Sequence, residues 1–333
     1  MVAATLLLAG CSSTSTPDGA ETATTSDSLL PAAEGKTQYP LTLTTPWGET
    51  TLEKRPERVA AIAVSGVDTE LLVALGVTPI TTSSLVLENA PWTVAAGADK
   101  AEKVLEVDYD NPVPKEALVA VQPDLILGFG RGLDNQESFD LLSKIAPVVT
   151  AEDGEILDLS PWQEPLRVLG KALDLSDRAE KIISDYEAKI AGIASEHPEF
   201  EGKTLNFIVY HGGGDALSNF TYADSAADSL LTAIGFAPNT NEDRDLSLEN
   251  LSTVDGDVLL FGNGGGSENK EPLSDITDLP VYQTLQVVKD DRVVLLDSDE
   301  YGFPLLWALA AGKVLGQEWL LDQIVPLIAE KVE

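Results

Sequence analysis

The chain has 333 residues, of which 44% are hydrophobic, so it is long enough to bury more than one domain-sized core. Its 55 acidic residues against 21 Lys and Arg give a formal charge of −34. This balance excludes binding to nucleic acid or anionic lipid through clustered basic side chains, and is typical of the solvated surface of a secreted protein. With Cys11 as the only cysteine, intrachain disulfides and cysteine-based zinc sites are excluded.

The first eleven residues, MVAATLLLAGC, form an apolar run that is too short to span a bilayer. Its ending, Leu-Ala-Gly-Cys, resembles the lipobox of bacterial lipoprotein signal peptides, and the resemblance implies that Cys11 is lipidated and anchors the protein to a membrane. Because the positive residues that open a signal peptide are missing, we expect the true start to lie upstream of Met1. Residues 12–38 have few large apolar side chains and are predicted to be a disordered tether.

An N-terminal lobe is predicted over residues 39–160, beginning with a hairpin whose strands alternate around Trp47 and Gly48. A buried strand over 59–64 is followed by a helix that ends at Gly76. The further elements predicted in this lobe are a strand over 77–80, a helix over 115–121, a strand over 123–128, a helix over 138–145 and a strand over 147–149. Alternating strands and helices predict an α/β lobe with ligands at the carboxyl ends of its strands.

The segment 161–197 carries apolar residues at helical spacing and is predicted to connect two lobes. Its main element is one helix over 177–195, about 28 Å long at 1.5 Å per residue, with Ser176 as its N-cap. A second α/β lobe is predicted over 198–333. Its elements are strands over 204–210, 258–261 and 293–296, helices over 226–234 and 248–253, and a helical C-terminus over 305–332. The predicted fold class is therefore two α/β lobes joined by one long rigid helix, with the ligand cleft between them.

Three stretches carry a family resemblance: RPERV at 55–59 with the helix and turn that follow, EALVAVQPDLI at 116–126, and SLENL at 247–251 running on to DVL at 257–259. In this order around one long helix, they resemble the class III periplasmic-type binding proteins, which bind ferric siderophores or cobalamin. The resemblance implies a monomeric, extracytoplasmic, lipid-anchored protein that is not an enzyme and holds no resident cofactor. Such a protein captures a ferric siderophore and delivers it to the permease dimer of an ABC importer.

Two acidic residues are candidates for docking to that permease. Glu116 and Glu249 each stand near the start of a predicted short helix, one in each lobe, where the helix dipole favours a carboxylate. The equivalent glutamates of the family face the two permease subunits, so the resemblance implies the same role here. Ordinary acids at helix starts would produce the same pattern.

Ligand contacts are expected in loops that follow strands. Arg131, between two glycines, suits carboxylate, hydroxamate or catecholate oxygens because its guanidinium is a planar fork of donors. Arg244 is a second positive candidate, and His211 is either a ligand contact or a bystander. Aromatic side chains could pack on the ligand, although such residues also pack lobes together. These aromatic candidates are Trp92, Tyr210, Tyr222 and Tyr301.

Other functions remain open at this point. Haem binding is compatible with His211, Tyr210 and Tyr222 as axial ligands, and cobalamin binding needs no arginine in the pocket. The HGGG sequence at 211–214 resembles the oxyanion hole of lipases, but the chain has no G-x-S-x-G motif to supply a serine nucleophile. Two histidines are too few for a multi-histidine metal site. A purely structural surface protein is disfavoured by the paired glutamates.

Overall fold

Short apolar runs that alternate with amphipathic stretches fold here into two sheets flanked by helices. The computed structural model describes residues 28–107, 113–133, 135–151, 161–212, 217–264, 272–296 and 302–332. Cys11 and Tyr301, named above for lipidation and ligand contact, lie outside these ranges. Within them, no helix combines the length and the apolarity that a membrane span requires.

The first lobe has a parallel sheet whose strands, apart from one edge strand, are buried on both faces, as expected when helices cover both sides. Its strands and those of the preceding hairpin are β1 (Leu41–Thr45), β2 (Gly48–Leu52), β3 (Val59–Ala61), β4 (Thr81–Ser83), β5 (Lys103–Leu105), β6 (Leu125–Leu127) and β7 (Val148–Val149). The sheet order is β5-β4-β3-β6-β7, and β1 and β2 pair as a separate antiparallel hairpin. Its helices are α1 (Val67–Ala74), α2 (Ser84–Asn89), α3 (Pro91–Ala95), α4 (Lys115–Val121) and α5 (Gln136–Leu142), with a 3-10 turn at Ala98–Lys100.

Two helices, α6 (Gln163–Ala172) and α7 (Ser176–Glu196), lead to the second lobe. Its strands are β8 (Leu205–Tyr210), β9 (Leu217–Asn219), β10 (Asp245–Leu246), β11 (Val258–Asn263) and β12 (Val293–Leu296). The sheet order is β10-β9-β8-β11-β12, in which β8, β11 and β12 are parallel and β9 is antiparallel to both its neighbours. Its helices are α8 (Ala226–Ala233), α9 (Ser274–Thr277), α10 (Pro280–Gln283), α11 (Gln286–Lys289), α12 (Gly302–Ala311) and α13 (Val314–Val332), with 3-10 segments at Pro198–Phe200 and Leu248–Val254.

The sequence-based predictions of the hairpin, of helix α4 and of the long helix α7 are confirmed. Gly76 follows α1 in the left-handed region, at a φ of 72°, as the predicted helix end requires. The strand predicted over 77–80 is wrong, because the Val77 N–H donates to the Leu72 carbonyl to close the helix end and strand β4 begins at Thr81. Strands β9 and β10 were not predicted, and the C-terminal helix divides between Ala311 and Val314.

The N-terminal arm, residues 28–39, is part of the fold, so the tether predicted to run to residue 38 is too long at its C-terminal end. Asp174, in the turn between α6 and α7, accepts hydrogen bonds from the backbone N–H groups of Gly35 (2.7 Å), Lys36 (2.8 Å) and Thr37 (2.8 Å). Burial opposes ionisation of this carboxyl group, but the three donors and Arg55 outweigh it and hold the pKa of Asp174 below its ordinary value.

The same arm caps α7, which corrects the prediction that Ser176 is its N-cap. Ser176 is the first residue of the helix. The free N–H groups of Asp177 and Arg178 donate instead to the carboxylate of Glu34, at 2.7 and 3.0 Å. A carboxylate at a helix N-terminus satisfies unpaired donors and interacts favourably with the helix dipole.

The two lobes are joined by a buried carboxylate as well as by α7. Glu70 of α1 is 3% exposed, and its Oε1 accepts the backbone N–H groups of Lys313 (2.8 Å) and Gly316 (2.9 Å) at the start of α13. Its Oε2 accepts the indole N–H of Trp92 at 3.0 Å. Burial raises the pKa of Glu70, and these donors together with the Lys313 charge oppose that rise. We call these four residues the Glu70 cluster.

Helix α13 therefore belongs to both lobes, although residues 198–333 were predicted to form the second lobe alone. It contacts α1 and α3 of the first lobe as well as α7, β11 and β12. At its start, a Cβ on Gly316 would stand 3.1 Å from the Trp92 indole, which is closer than a side-chain carbon normally packs, so glycine favours this close approach. The indole also packs against Trp319, with ring centroids 5.2 Å apart.

The Glu70→Ala substitution should lower the free energy of unfolding by about 3–5 kcal/mol, because three buried N–H donors lose their acceptor and Lys313 loses a neighbouring negative charge. Chemical denaturation followed by circular dichroism measures this loss. The control is Glu88→Ala, at an exposed position on α2, which should change stability by less than about 0.5 kcal/mol. Equal effects of the two substitutions would contradict the role given to Glu70.

The Asp174→Asn substitution should cost about 1.5–3 kcal/mol at pH 7, because neutral Asn weakens three charge-assisted hydrogen bonds. Asn tolerates the left-handed backbone of this position, at a φ of 53°. The folded-state pKa lies below the unfolded value, so the carboxylate stabilises the fold above that unfolded value, and the contribution is lost as pH falls through the folded pKa. The stability difference between wild type and variant, measured by denaturation, should shrink below about pH 4. A constant difference down to pH 2.5 would rule out this charge effect.

Candidate ligand site at the sheet edges

The loops at the carboxyl edge of the first sheet are tied together by one buried side chain. Asp68, on α1, is fully buried, and its carboxylate accepts N–H groups from Ile62 (3.0 Å) and Ala63 (2.8 Å) after β3. It also accepts the N–H of Phe129 (2.9 Å) after β6. A short polar side chain that satisfies three backbone donors fixes both loops relative to each other.

Arg131 stands on the second of these loops and is exposed. Its carbonyl accepts the N–H of Val64 at 3.0 Å, which binds the loop to the one after β3. Gly132 follows at a φ of 126°, and a Cβ there would stand 3.1 Å from the Ile62 carbonyl oxygen. Since only glycine fits this turn without strain, the backbone on both sides of Arg131 is fixed at the mouth of the first sheet. Ligand contact by Arg131 stays a prediction.

His211 occupies the corresponding edge of the second sheet. It follows β8, the central strand, and its side chain is exposed. The ring Nε2 lies 3.0 Å from the Ser218 hydroxyl on β9. On the other side, the Gly264 N–H donates to the Tyr210 carbonyl at 2.7 Å, which places the end of β11 beside the ring.

Arg244 lies just before β10, and its guanidinium is exposed. Its carbonyl accepts the N–H of Asn219 at 2.7 Å. The pKa of His211 is lowered by partial burial and then by the positive charge of Arg244, while Asp245 opposes this shift. Arg244 and His211 therefore act on each other electrostatically.

Two of the predicted aromatic contacts are corrected by burial. Trp92 is 6% exposed, and its N–H and ring are occupied by Glu70 and Trp319. Tyr210 is 1% exposed, because the central strand β8 is covered on both faces. Both side chains are placed for packing inside the protein rather than for contact with a ligand.

Tyr222 is half-buried but lies at the wrong edge of the sheet for a ligand contact. Strand β9 runs antiparallel to β8, so the chain beyond it leads towards the amino end of β8. The Thr221 hydroxyl accepts the N–H of Phe207 there, at 2.9 Å. The structure thus separates Tyr222 from His211.

The two predicted docking residues are both exposed and both lie at carboxyl edges. Glu116 is in the first turn of α4, which leads into β6 and so begins at the carboxyl edge of the first sheet. Glu249 is in the first turn of the segment Leu248–Val254, which is a 3-10 helix and follows β10 directly. One acid on each lobe thus stands beside the candidate ligand site.

The pairing of His211 with Ser218 resembles part of a hydrolase site, but the geometry does not complete one. Ser218 is 8% exposed on a strand rather than on a strained turn. Among the described residues, no carboxylate hydrogen-bonds to the His211 ring to orient it as a catalytic base. Nor do the described ranges bring three or more His, Cys, Asp or Glu side chains together in a group that could hold a metal ion.

Comparison with known proteins identifies the family. The model of the periplasmic binding protein family matches residues 62–300. Among curated proteins, the chain is 22% identical to the Fe(3+)-citrate-binding protein YfmC of Bacillus subtilis, over 90% of this chain and 88% of that protein. It is also 22% identical to the ferric-anguibactin-binding protein FatB of Vibrio anguillarum, over 95% of this chain and 94% of that protein.

Solved structures confirm the fold class of two α/β lobes joined by a long helix. A periplasmic solute binding protein from Mycobacterium smegmatis superposes with a TM-score of 0.73 at 22% identity, covering 88% of this chain and 99% of that chain. PiaA of Streptococcus pneumoniae in complex with ferrichrome superposes with a TM-score of 0.66 at 23% identity, covering 87% of this chain and 98% of that chain. The chain is an extracytoplasmic protein and belongs to the periplasmic binding protein family.

Proposed function

We propose that this protein captures a ferric chelate, either a siderophore or a citrate complex, and delivers it to the permease dimer of an ABC importer. The observation that carries the proposal is the family match over residues 62–300, together with relatives named for ferric citrate and ferric anguibactin. The site geometry supports it, because Arg131 at one sheet edge and Arg244 with His211 at the other offer donors to the oxygens of such a ligand.

The same geometry weakens the haem alternative. Tyr210 is buried and Tyr222 lies at the far edge of the sheet, so His211 alone of the three predicted axial ligands is suitably placed. The protein is proposed to act as a monomer that binds its ligand without transforming it.

Delivery requires that the protein stay near the membrane and meet the permease. We propose that a lipid on Cys11 anchors it, and that Glu116 and Glu249 contact basic residues of the two permease subunits. Their exposure beside the carboxyl edges of both sheets supports the second role, because a permease docked there would cover the ligand.

The Arg131→Ala substitution should weaken binding of the ferric chelate by about 1.5–3 kcal/mol, because a charge-assisted contact is lost. Titration of the purified protein with ferric citrate, ferric hydroxamates, haem and cobalamin, followed by tryptophan fluorescence, measures the affinities. Arg167→Ala is the matched control, since this half-exposed arginine on α6 pairs with Glu180 away from the site. Binding of haem or cobalamin alone would contradict the proposed ligand, and unchanged affinity in Arg131→Ala would remove Arg131 from the site.

Replacement of Glu116 and Glu249 together by Ala should abolish uptake of radioactive iron by cells and leave the affinity for the chelate unchanged. The control is the double replacement of Glu187 and Glu330, which are exposed on α7 and α13 and should not affect uptake. Normal uptake with the Glu116 and Glu249 variant would show that docking uses another surface.

A further inference from the structure

The His211 ring lies across the end of the central strand of the second sheet. Its Nε2 reaches Ser218 on β9, one neighbour of β8. Its Nδ1 lies 2.8 Å from the place where a Cβ on Gly264 would stand, at the end of β11, the other neighbour. The carboxyl end of a central strand is where α/β sheets bind ligands.

Two features leave the ring able to meet a ligand. The side chain is exposed even though Ser218 holds one nitrogen. Gly264 carries no side chain and so leaves room for the ring, because a Cβ there would stand only 2.8 Å from Nδ1. When protonated, the ring would donate from both nitrogens, to Ser218 and to a ligand oxygen.

The charges around the ring favour an anion. Arg244 acts on His211 most strongly among charged groups, and Asp245 acts in the opposite sense. Within the described part of the chain, the Arg244 guanidinium forms no hydrogen bond or salt bridge, in a protein whose net charge is −34. An unpaired arginine beside a histidine disfavours the protonated ring until a negative ligand arrives.

We propose that His211 contacts the ligand and, together with Arg244, makes the second lobe select ferric chelates that carry net negative charge, with uptake of a proton at His211 when the chelate binds. This inference rests on the proposed function. A neutral chelate would desolvate Arg244 without supplying an opposite charge. Its affinity should therefore be lower than that of an anionic chelate, because a desolvated cation without a counter-charge is unfavourable.

The sign of the pH effect follows from linkage. The free protein holds His211 neutral at neutral pH, because burial and Arg244 lower its pKa from 6.5. A bound anion raises that pKa, so the complex binds a proton that the free protein lacks. Affinity for the anion should therefore increase as pH falls from about 7.5 to 5.5, by at most about tenfold per pH unit for one proton.

Isothermal titration calorimetry of the full chain with ferric citrate, from pH 5.5 to 8, tests this inference. Measurement in two buffers with different ionisation enthalpies counts the protons taken up by the wild-type protein. At each pH the wild-type affinity is divided by the His211→Gln affinity. This ratio cancels the effect of pH on the speciation of ferric citrate, because both proteins meet the same ligand. The control is His197→Gln, since His197 pairs with Glu199 and stacks on Phe200 away from the site.

We expect proton uptake of up to one per chelate, and an affinity ratio of wild type to His211→Gln that rises about tenfold or more between pH 8 and pH 5.5. His197→Gln should follow the wild type, and Arg244→Gln should bind ferric citrate about 10- to 100-fold more weakly. No proton uptake, or identical pH profiles for wild type and His211→Gln, would overturn the role of His211.

The ligand panel separates this inference from the proposed function. Tight binding of neutral ferrichrome with no binding of ferric citrate would overturn the selection of anionic chelates and leave the ferric-chelate function standing. Binding of no ferric chelate would overturn both.

Discussion

The buried carboxylate of Glu70 ties the first lobe to the start of α13, and we expect this contact to hold the two lobes at a fixed separation. Glu70 belongs to the first lobe. Its carboxylate accepts hydrogen bonds from backbone N–H groups at the start of α13, a helix that packs on both lobes. The cost of burying a charge is offset by three directed hydrogen bonds and by Lys313. Because one continuous cluster of buried apolar side chains surrounds this contact, separating the lobes would break polar and apolar contacts together.

The turn between α6 and α7 is held in a similar way by the N-terminal arm. Glu34 caps α7 while Asp174 binds the arm, so each acid satisfies backbone donors of the other segment. With α7 and α13 held in this way, we expect the edges that carry Arg131 and His211 to form a largely preformed site. A preformed site spends little of its binding free energy on closure, which suits a protein that must recognise its ligand before delivery.

The sequence predicted local features well and distant contacts poorly. Helix α4 and the glycine after α1 were found because their signals lie within a few residues. The cap of α7 was missed because its acceptor, Glu34, is more than 140 residues away, and the run before it resembled a tether. Tyr210 was expected at the ligand because it ends a strand, but a strand in mid-sheet buries its last residue, and the next one, His211, is the first to be exposed.

The most direct test is the distance between the lobes with and without ligand. Spin labels at Ala120 and Ser252, both exposed and one on each lobe, allow pulsed electron resonance to measure it in a Cys11→Ser background, with a diamagnetic gallium chelate in place of iron. A fixed pair of lobes predicts that saturation with the chelate changes the distance by less than about 2 Å. A larger change, or a broad distribution that narrows only on binding, would contradict the claim that the Glu70 cluster holds a preformed site.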